Sequence, residues 1–329
     1  MKKQHIITIA IILVLGGLGG WKTWAYLNPE EAKEQGLVTT EKVSDTKEVN
    51  NSSTTTAPVT TKALDIHPAV PVNGTYKGVI EVGASGFNCF VANIDKDKNW
   101  ELVSKTFGES LAYEGFATTA DVYEQMKKYI AIIAEKGVAG RNIHFVMSSG
   151  ALKNPKNQLI AQAIKEKGFV VNKVDADQEG KYALKALLGK DFRDNSFTVD
   201  IGSGNTKISW MENGKITSAE ASGAKYYQDG KKDPDVYAEI KTVITRVPQN
   251  LRSHCFIIGG VPFKLAKESR NGEERFTALK NPDEYSAGDD VKYKSGLNIY
   301  RAIYENSGSE NYIFDWDANF TIGFLLTLN

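Results

Sequence analysis

One short pattern occurs twice in this chain, more than a hundred residues apart. The first copy, residues 80–91, reads IEVGASGFNCFV, and the second, residues 199–210, reads VDIGSGNTKISW. In each copy an apolar strand with one acidic residue leads into a glycine-rich turn, and a second strand follows. Two copies at this spacing predict an internal duplication. We therefore expect an α/β protein of two lobes around a central cleft, each lobe opening with a β-turn-β element.

The segments between and after the two copies alternate between strand and helix patterns. Apolar spacing predicts helices over 119–136, 157–167, 179–188 and 295–305. Short apolar runs predict strands over 142–147, 169–174 and 256–260, the last of which ends in Gly259-Gly260. Such alternation favours βαβ units and a largely parallel sheet. Residues 271–295 are polar and predicted to be rich in loops.

The amino terminus reads as a membrane segment followed by a linker. Residues 6–20 are apolar and uncharged, and Trp21 and Trp24 follow them. We expect a single-pass membrane anchor over 1–27, with a signal peptide that is cleaved, leaving a secreted protein, as the alternative. Lys2 and Lys3 favour a cytoplasmic amino terminus, so the folded part is expected outside the cytoplasm.

Composition separates the remaining regions and narrows the function classes. Residues 28–73 are rich in Thr and Ser and poor in large apolar residues, which predicts a disordered linker. The first lobe then spans 74–190 and the second 191–329. Lys+Arg and Asp+Glu are both 40, and this balance disfavours a nucleic-acid partner. Cys89 and Cys255 are expected to be buried core residues, with a single disulfide as the alternative.

Both turns suit the binding of phosphate. Small residues at a turn let backbone N–H groups approach phosphate oxygens without obstruction. An acidic residue just before the turn can position a metal-bound water or a nucleophile. Neither turn is a Walker A loop, and no G-x-G-x-x-G fingerprint opens a helix.

The order of these motifs resembles the exopolyphosphatase and guanosine pentaphosphatase (Ppx/GppA) family of the actin-like superfamily. IEVGASGF and VDIGSGNTK resemble its two phosphate motifs, and DADQEGKYALKALL resembles the acidic segment between them. IIGGVPFKLA and DWDANFTIGFLL resemble its later Gly-Gly and closing segments, so the similarity covers roughly residues 76–326. The resemblance implies two actin-like (ribonuclease H-like) lobes.

The resemblance also implies roles for individual residues. Glu179 falls on the position of the base that activates water, and Asp200 and Glu81 on the carboxylates that would act in catalysis and hold Mg²⁺. The alternative for Glu179 is a solvated carboxylate at a helix start. The phosphate-binding positions are Gly83, Ala84, Ser85, Gly86, Gly202, Ser203, Gly204, Asn205, Lys207, Gly259 and Gly260.

Several charged positions depart from the family pattern. Glu81 stands where Asp is usual, and Asn88 where a basic residue is usual. Lys207 stands where an acidic residue usually follows the second loop, and Lys153 replaces an Arg. Lys207 can contact phosphate as a point charge or mark the loss of a metal site. The phosphate cradle thus looks retained while the catalytic charges look altered.

Three functions remain open at this stage. The first is a hydrolase of acid anhydrides that uses Mg²⁺ to cleave polyphosphate or a nucleotide polyphosphate. The second is a catalytically degenerate sensor that binds phosphate or nucleotide, and the third is a membrane-anchored scaffold. The loops also resemble those of apyrase-type ecto-nucleotidases, and a homodimer is left open.

Overall fold

The computed structural model describes residues 64, 66–83, 86–108, 119–152 and 154–329. Residues from Thr61 to Asn329 form one compact unit. The expected membrane segment, most of the expected linker, and Lys153 lie outside the described residues. Among the helices that the structure describes, none is long and apolar enough to cross a bilayer.

The first lobe is built on a five-stranded sheet with the strand order β3-β2-β1-β4-β5. Strands β1, β2 and β3 are antiparallel neighbours, and β4 and β5 run parallel to β1. Its strands are β1 (Thr75–Gly83), β2 (Gly86–Ile94), β3 (Trp100–Phe107), β4 (Ile143–Ser148) and β5 (Val171–Val174). Its helices are α1 (Thr119–Ala134), α2 (Ser149–Leu152) and α3 (Pro155–Glu166).

The second lobe repeats this arrangement on a six-stranded sheet with the order β10-β11-β9-β6-β7-β8. Its strands are β6 (Ser196–Ile201), β7 (Asn205–Glu212), β8 (Lys215–Ser222), β9 (His254–Gly259), β10 (Phe276–Ala278) and β11 (Asn311–Asp315). Its helices are α5 (Asp233–Ile244), α6 (Gly260–Ser269) and α7 (Val291–Ser307). Strands 8-7-6-9-11 match strands 3-2-1-4-5, with β10 added at the edge. This confirms the duplication that the repeated turn predicts.

Two further helices join the lobes. Helix α4 (Ala176–Leu187) packs against β6, β7 and β8 of the second sheet, and α8 (Phe320–Thr327) packs against α4 and against β1 and β2 of the first sheet. A Cβ on Gly323 would lie 1.8 Å from the carbonyl oxygen of Tyr182, so only glycine allows α8 to approach α4 this closely. The apolar core between the lobes therefore includes residues from both sheets, among them Val79 and Phe256.

Several elements were not predicted from the sequence. Helices α5 and α6 and strand β11 lie in segments whose patterns we did not assign. The polar region 271–295 contains only the short strand β10, a single 3-10 turn and the start of α7, as expected of a loop-rich segment. Cys89 and Cys255 are both free and buried, each in the core of a different lobe, as the core interpretation predicts.

Candidate functional site

The two β-turn-β elements place their polar residues at matching positions. Glu81 on β1 is the cross-strand partner of Asn88 on β2, and Asp200 on β6 is the cross-strand partner of Lys207 on β7. Directly opposed residues on an antiparallel pair project their side chains to the same face of the sheet. Each lobe therefore presents one carboxylate and one amide or ammonium group beside its glycine turn. The side-chain amide of Asn88 donates to the Oε2 of Glu81 at 3.3 Å.

Helix α4 brings Glu179 next to Lys207, beside the second glycine turn. A capping box fixes the start of this helix, because Asp175 accepts from the backbone of Gln178 and the Gln178 side chain accepts from the backbone of Asp175. Glu179 lies in the first turn of this helix and is only 4% exposed. It is therefore not the solvated carboxylate that the alternative interpretation predicts.

A buried ion pair links Glu179 to the second turn. The Nζ of Lys207 donates to the Oε2 of Glu179 at 2.6 Å, and both side chains are 6% exposed. A buried charge needs a partner, because its loss of hydration is otherwise uncompensated. The two residues are 28 positions apart in sequence, so only the tertiary fold brings them together.

Glu81, Glu179, Asp200 and Lys207 act on one another electrostatically. The pKa of Glu81 is raised to about 7, mainly by burial and also by the charges of Glu179 and Asp200, while the Asn88 hydrogen bond and the charge of Lys207 oppose the rise. Burial also raises the pKa of Asp200, which Lys207 opposes. Burial by itself lowers the pKa of Lys207, but the charges of Asp200 and Glu179 outweigh it and the net shift is upward. The structure thus unites the three predicted carboxylates and the lysine in one cluster.

The second turn is closed by a backbone hydrogen bond at Gly202, and the residues at its outer edge, or rim, are exposed. The N–H of Gly202 donates to the carbonyl of Asn205 at 2.9 Å, and a Cβ on Gly202 would lie 2.7 Å from that oxygen. Ser203 and Gly204 are exposed, and a Cβ on Gly204 would meet no atom within 4 Å. Asn205 donates from its side-chain amide to Glu220 at 2.7 Å. The rim of the turn therefore has the free space that an approaching ligand requires.

The Gly-Gly pair lies directly beside this turn. Gly259 ends β9 with a φ of 117°, and a Cβ there would lie 2.2 Å from the carbonyl oxygen of Ile201. Gly260 begins α6, and the Nζ of Lys292 lies 3.9 Å from the position that a Cβ on Gly260 would take. Burial lowers the pKa of Lys292, and the positive charges of Lys225 and Lys264 lower it further. Asp290, which pairs with Lys264, offsets part of this repulsion, and an anion near Lys292 and Lys225 would relieve more of it.

The first turn is described only at its two ends. Gly83 and Gly86 are cross-strand partners at the point where β1 and β2 meet the turn. Ala84 and Ser85 lie outside the described residues, so their assignment to a phosphate loop stays a prediction.

Four residues around the second turn were missed at the sequence level. Gly223 packs beneath it, since a Cβ there would lie 2.3 Å from the backbone nitrogen of Asn205. The backbone of Lys225 donates to the carbonyl of Ser203 at 2.9 Å. The string Ser-Gly-Ala-Lys after β8 is the signal that could have revealed both residues. Glu220 and Lys292 have no comparable signal, because strand pairing and helix packing bring them to the turn.

The predicted magnesium site is a poor fit for the residues present. The described part of the chain has no group of three His, Cys, Asp or Glu residues placed to hold a metal ion. That count alone does not decide the matter, because Mg²⁺ often takes one or two carboxylates and completes its shell with water and phosphate. Lys207 is the stronger objection, because its ammonium group already lies among the carboxylates of Glu179 and Asp200. The positive charge at this point belongs to the lysine.

The duplicated sheet order, with helices packed on both sheets, defines the two-lobed actin-like fold. No family model and no curated protein matches the sequence. Among solved structures, a Ppx/GppA family member from Aquifex aeolicus matches with 17% identity and a TM-score of 0.57, over 77% of this chain and 97% of its own. The Aquifex aeolicus PPX-GPPA enzyme matches with 16% identity and a TM-score of 0.59, over 77% and 99%.

An exopolyphosphatase from Cytophaga hutchinsonii also matches, with 16% identity and a TM-score of 0.54, over 77% of this chain and 97% of its own. At these identities the similarity shows a common fold. The chain therefore has the two-lobed fold that the Ppx/GppA structures have.

Proposed function

We propose that the cleft binds a chain of phosphates, either inorganic polyphosphate or a nucleotide polyphosphate, and that it binds this ligand without hydrolysing it. The observation that carries the proposal is the buried ion pair between Glu179 and Lys207, the latter on the strand β7 that follows the open glycine turn. The turn provides the place for phosphate, and the ion pair disables the base.

Support for phosphate binding comes from the second lobe. The exposed rim at Ser203 and Gly204 leaves space for a ligand, and Lys225 and Lys292 add positive charge near Gly260, while Lys264 is paired with Asp290. Backbone N–H groups at a glycine turn together with nearby ammonium groups are a common environment for phosphate in proteins. A ligand with several phosphates would extend from the turn towards these lysines.

Support for binding without turnover comes from Glu179. A general base must contact the water whose proton it takes. The Oε2 of Glu179 is already occupied by the ammonium of Lys207 at 2.6 Å, and the residue is almost fully buried. Opening this pair would leave a charge without a partner in a buried environment, so the ion pair opposes the action of Glu179 as a base.

Lys207 also affects whether the site needs Mg²⁺. We propose that its ammonium supplies the positive charge for which the sequence predicted Mg²⁺. Phosphate affinity would then change little when divalent cations are removed. The predicted membrane anchor, the location outside the cytoplasm and the homodimer stay proposals and do not enter this argument.

The test is calorimetric binding of tripolyphosphate, ATP and pppGpp, with Mg²⁺ or with EDTA, alongside a phosphate-release assay. We expect binding in both conditions and no release. Lys207→Met should weaken binding at least tenfold, whereas Lys241→Met, which removes an exposed lysine from α5, should not. Binding that requires Mg²⁺ would refute the role of Lys207, and failure to bind any phosphate compound would leave only the scaffold interpretation.

A hydrolase is the second candidate, and one observation favours it. The pKa of Glu81 is raised to about 7, which suits a group that exchanges protons near neutral pH. Steady phosphate release by the unaltered chain would establish this candidate. Glu81→Gln should then lower the rate by roughly 10²–10⁴-fold if Glu81 transfers the proton.

A further inference from the structure

A cavity lies at the opposite end of α4 from the ion pair. Its volume is about 600 Å³, within the range of about 300–1,000 Å³ that small-molecule pockets have. The carboxyl-terminal half of α4, including Leu184 and Leu187, forms one wall, and Glu179 lies near the other end of the helix. At about 1.5 Å rise per residue, Leu187 lies roughly 12 Å along the helix from Glu179. The cavity is therefore separate from the candidate phosphate cleft.

The interior of this cavity is apolar and rich in aromatic rings. Trp100, Phe192, Phe256 and Phe276 line it. The rings of Phe192 and Phe256 lie 5.2 Å apart in an edge-to-face arrangement. The indole of Trp100 donates to the carbonyl of Ala186 at 3.2 Å, so its orientation is fixed. Such walls favour a hydrocarbon chain or an aromatic body over a polar ligand.

The lining of the cavity carries more positive than negative charge. It includes five basic side chains and two acidic ones, namely Lys98, Lys185, Lys190, Arg193 and Arg275 against Asp97 and Asp191. Lys98 and Lys190 are exposed and mark the mouth, whereas the guanidinium of Arg275 lies inside, 4.1 Å from the ring of Trp100. Arg275 is neutralised by Asp315, and Lys98 donates to the carbonyl of Leu328. Arg193 donates its Nε–H to the carbonyl of Leu188 but forms no salt bridge among the described residues, and neither do Lys185 and Lys190.

The positive groups at the mouth act on one another. Burial lowers the pKa of Lys185, and the charges of Arg193 and Lys98 lower it further. Positive groups held together next to an apolar interior are complementary to a ligand that has a hydrocarbon body and an anionic head group. Such a ligand would bury its body among the aromatic rings and neutralise the lysines at the mouth.

We propose that this cavity is a binding site for a single-chain anionic amphiphile, such as a long-chain carboxylate or alkyl phosphate. The hydrocarbon chain lies against Trp100, Phe192 and Phe256, and the head group lies beside Lys185, Lys190 and Arg193. The site is independent of phosphate binding in the cleft.

Trp100 makes the proposal directly testable. The probe is 11-bromoundecanoate, whose bromine quenches nearby tryptophan fluorescence, added to the full chain in a non-ionic detergent. The measurement uses a chain with Trp21→Phe and Trp24→Phe, because these residues follow the expected membrane segment and would be quenched by probe in the detergent. We expect saturable quenching that is lost when Trp100→Phe is added, while calorimetry still detects binding to that variant. The neutral 11-bromoundecanol should bind at least tenfold more weakly, because it cannot pair with the lysines. Dodecyl phosphate added as a competitor distinguishes the two head groups.

A matched pair of double variants tests the charges. Lys185→Gln with Lys190→Gln should weaken binding of the anion about tenfold or more, because both charge-assisted contacts to the head group are lost. Lys232→Gln with Lys241→Gln removes the same charge from exposed positions elsewhere and should have no effect. Ile216→Phe, which fills part of the cavity, should weaken the binding of both the acid and the alcohol.

Two results would overturn the proposal. One is equal affinity for the acid and the alcohol in the unaltered chain. The other is quenching that persists in Trp100→Phe, which would place the probe elsewhere. A thermal melt of each variant separates loss of binding from loss of folding.

Discussion

Removing the lysine from the buried ion pair should destabilise the protein strongly. At the 2.6 Å that separates Lys207 Nζ from Glu179 Oε2, the attraction at an effective dielectric constant of about 20 is roughly 6 kcal/mol. Loss of hydration offsets part of this gain. In Lys207→Met the carboxylates of Glu179, Asp200 and Glu81 remain without their ammonium group. We expect the free energy of unfolding to fall by about 3–5 kcal/mol at pH 8, the range observed when one partner of a buried pair is deleted.

The assay is urea unfolding at pH 8 and pH 5. The loss should be smaller at pH 5, because protonation of Glu81 and Asp200, whose pKa values are already raised, removes negative charge from the cluster. Lys181→Met is the matched control, since Lys181 forms an exposed pair with Asp177 on the same helix. In that control the free energy of unfolding should fall by less than about 1 kcal/mol. A loss below about 1 kcal/mol in Lys207→Met would show that the pair is not buried as described.

Three further predictions follow from the same cluster and its turn. Glu81→Gln should make the protein more stable above pH 7 by up to about 3 kcal/mol, and the difference should vanish below pH 4.5. The sign follows because a carboxyl group whose pKa is higher in the folded state stabilises the fold at low pH and loses that contribution as the pH rises through 7. A stability difference between the variant and the unaltered chain that does not vary with pH would contradict this reasoning. Gly259→Ala should lower the melting temperature and reduce the free energy of unfolding by at least about 2 kcal/mol, because φ is positive at Gly259 and a Cβ there would clash with Ile201. Gly189→Ala is the control and should have neither effect, because Gly189 has a φ of −57° and open space around it. Gly204→Val should leave the melting temperature nearly unchanged but remove tripolyphosphate binding in calorimetry, since the side chain projects into the ligand's space; normal binding would show that phosphate does not use this turn.

Local patterns were enough to predict the duplicated architecture. The glycine turns at Gly83 and Gly202 and the apolar runs around them specify strand, turn and strand without reference to the rest of the chain. The strand and helix alternation between them could be assigned in the same way, and the sheet order confirms it. Helices α5 and α6 were missed because no helical spacing of apolar residues was assigned to residues 233–244 and 260–269, although the loop-rich region 271–295 and a helix over 295–305 were predicted after β8.

The character of the candidate site depended on contacts that no local pattern contains. The sequence placed Glu179 and Lys207 in the site but assigned them separate roles, as base and as phosphate contact or lost metal site. Their ion pair forms only because α4 packs across the second sheet. Similarly, the cavity behind Trp100 collects side chains from the β2–β3 turn, the end of α4 and the β7–β8 hairpin. Sites of this kind follow from packing between elements far apart in the chain.

The position of α8 has a consequence for how the protein is made. This helix covers β1 and β2, the first strands of the folded part, yet it is synthesised only after the whole second lobe. Lys77, on β1, also donates to the carbonyls of Leu328 and Asn329. Until α8 emerges, an apolar face of the first sheet has no cover and is prone to aggregation. A chain interrupted before Phe320 should therefore need a chaperone to remain in solution, even though both sheets would already be complete.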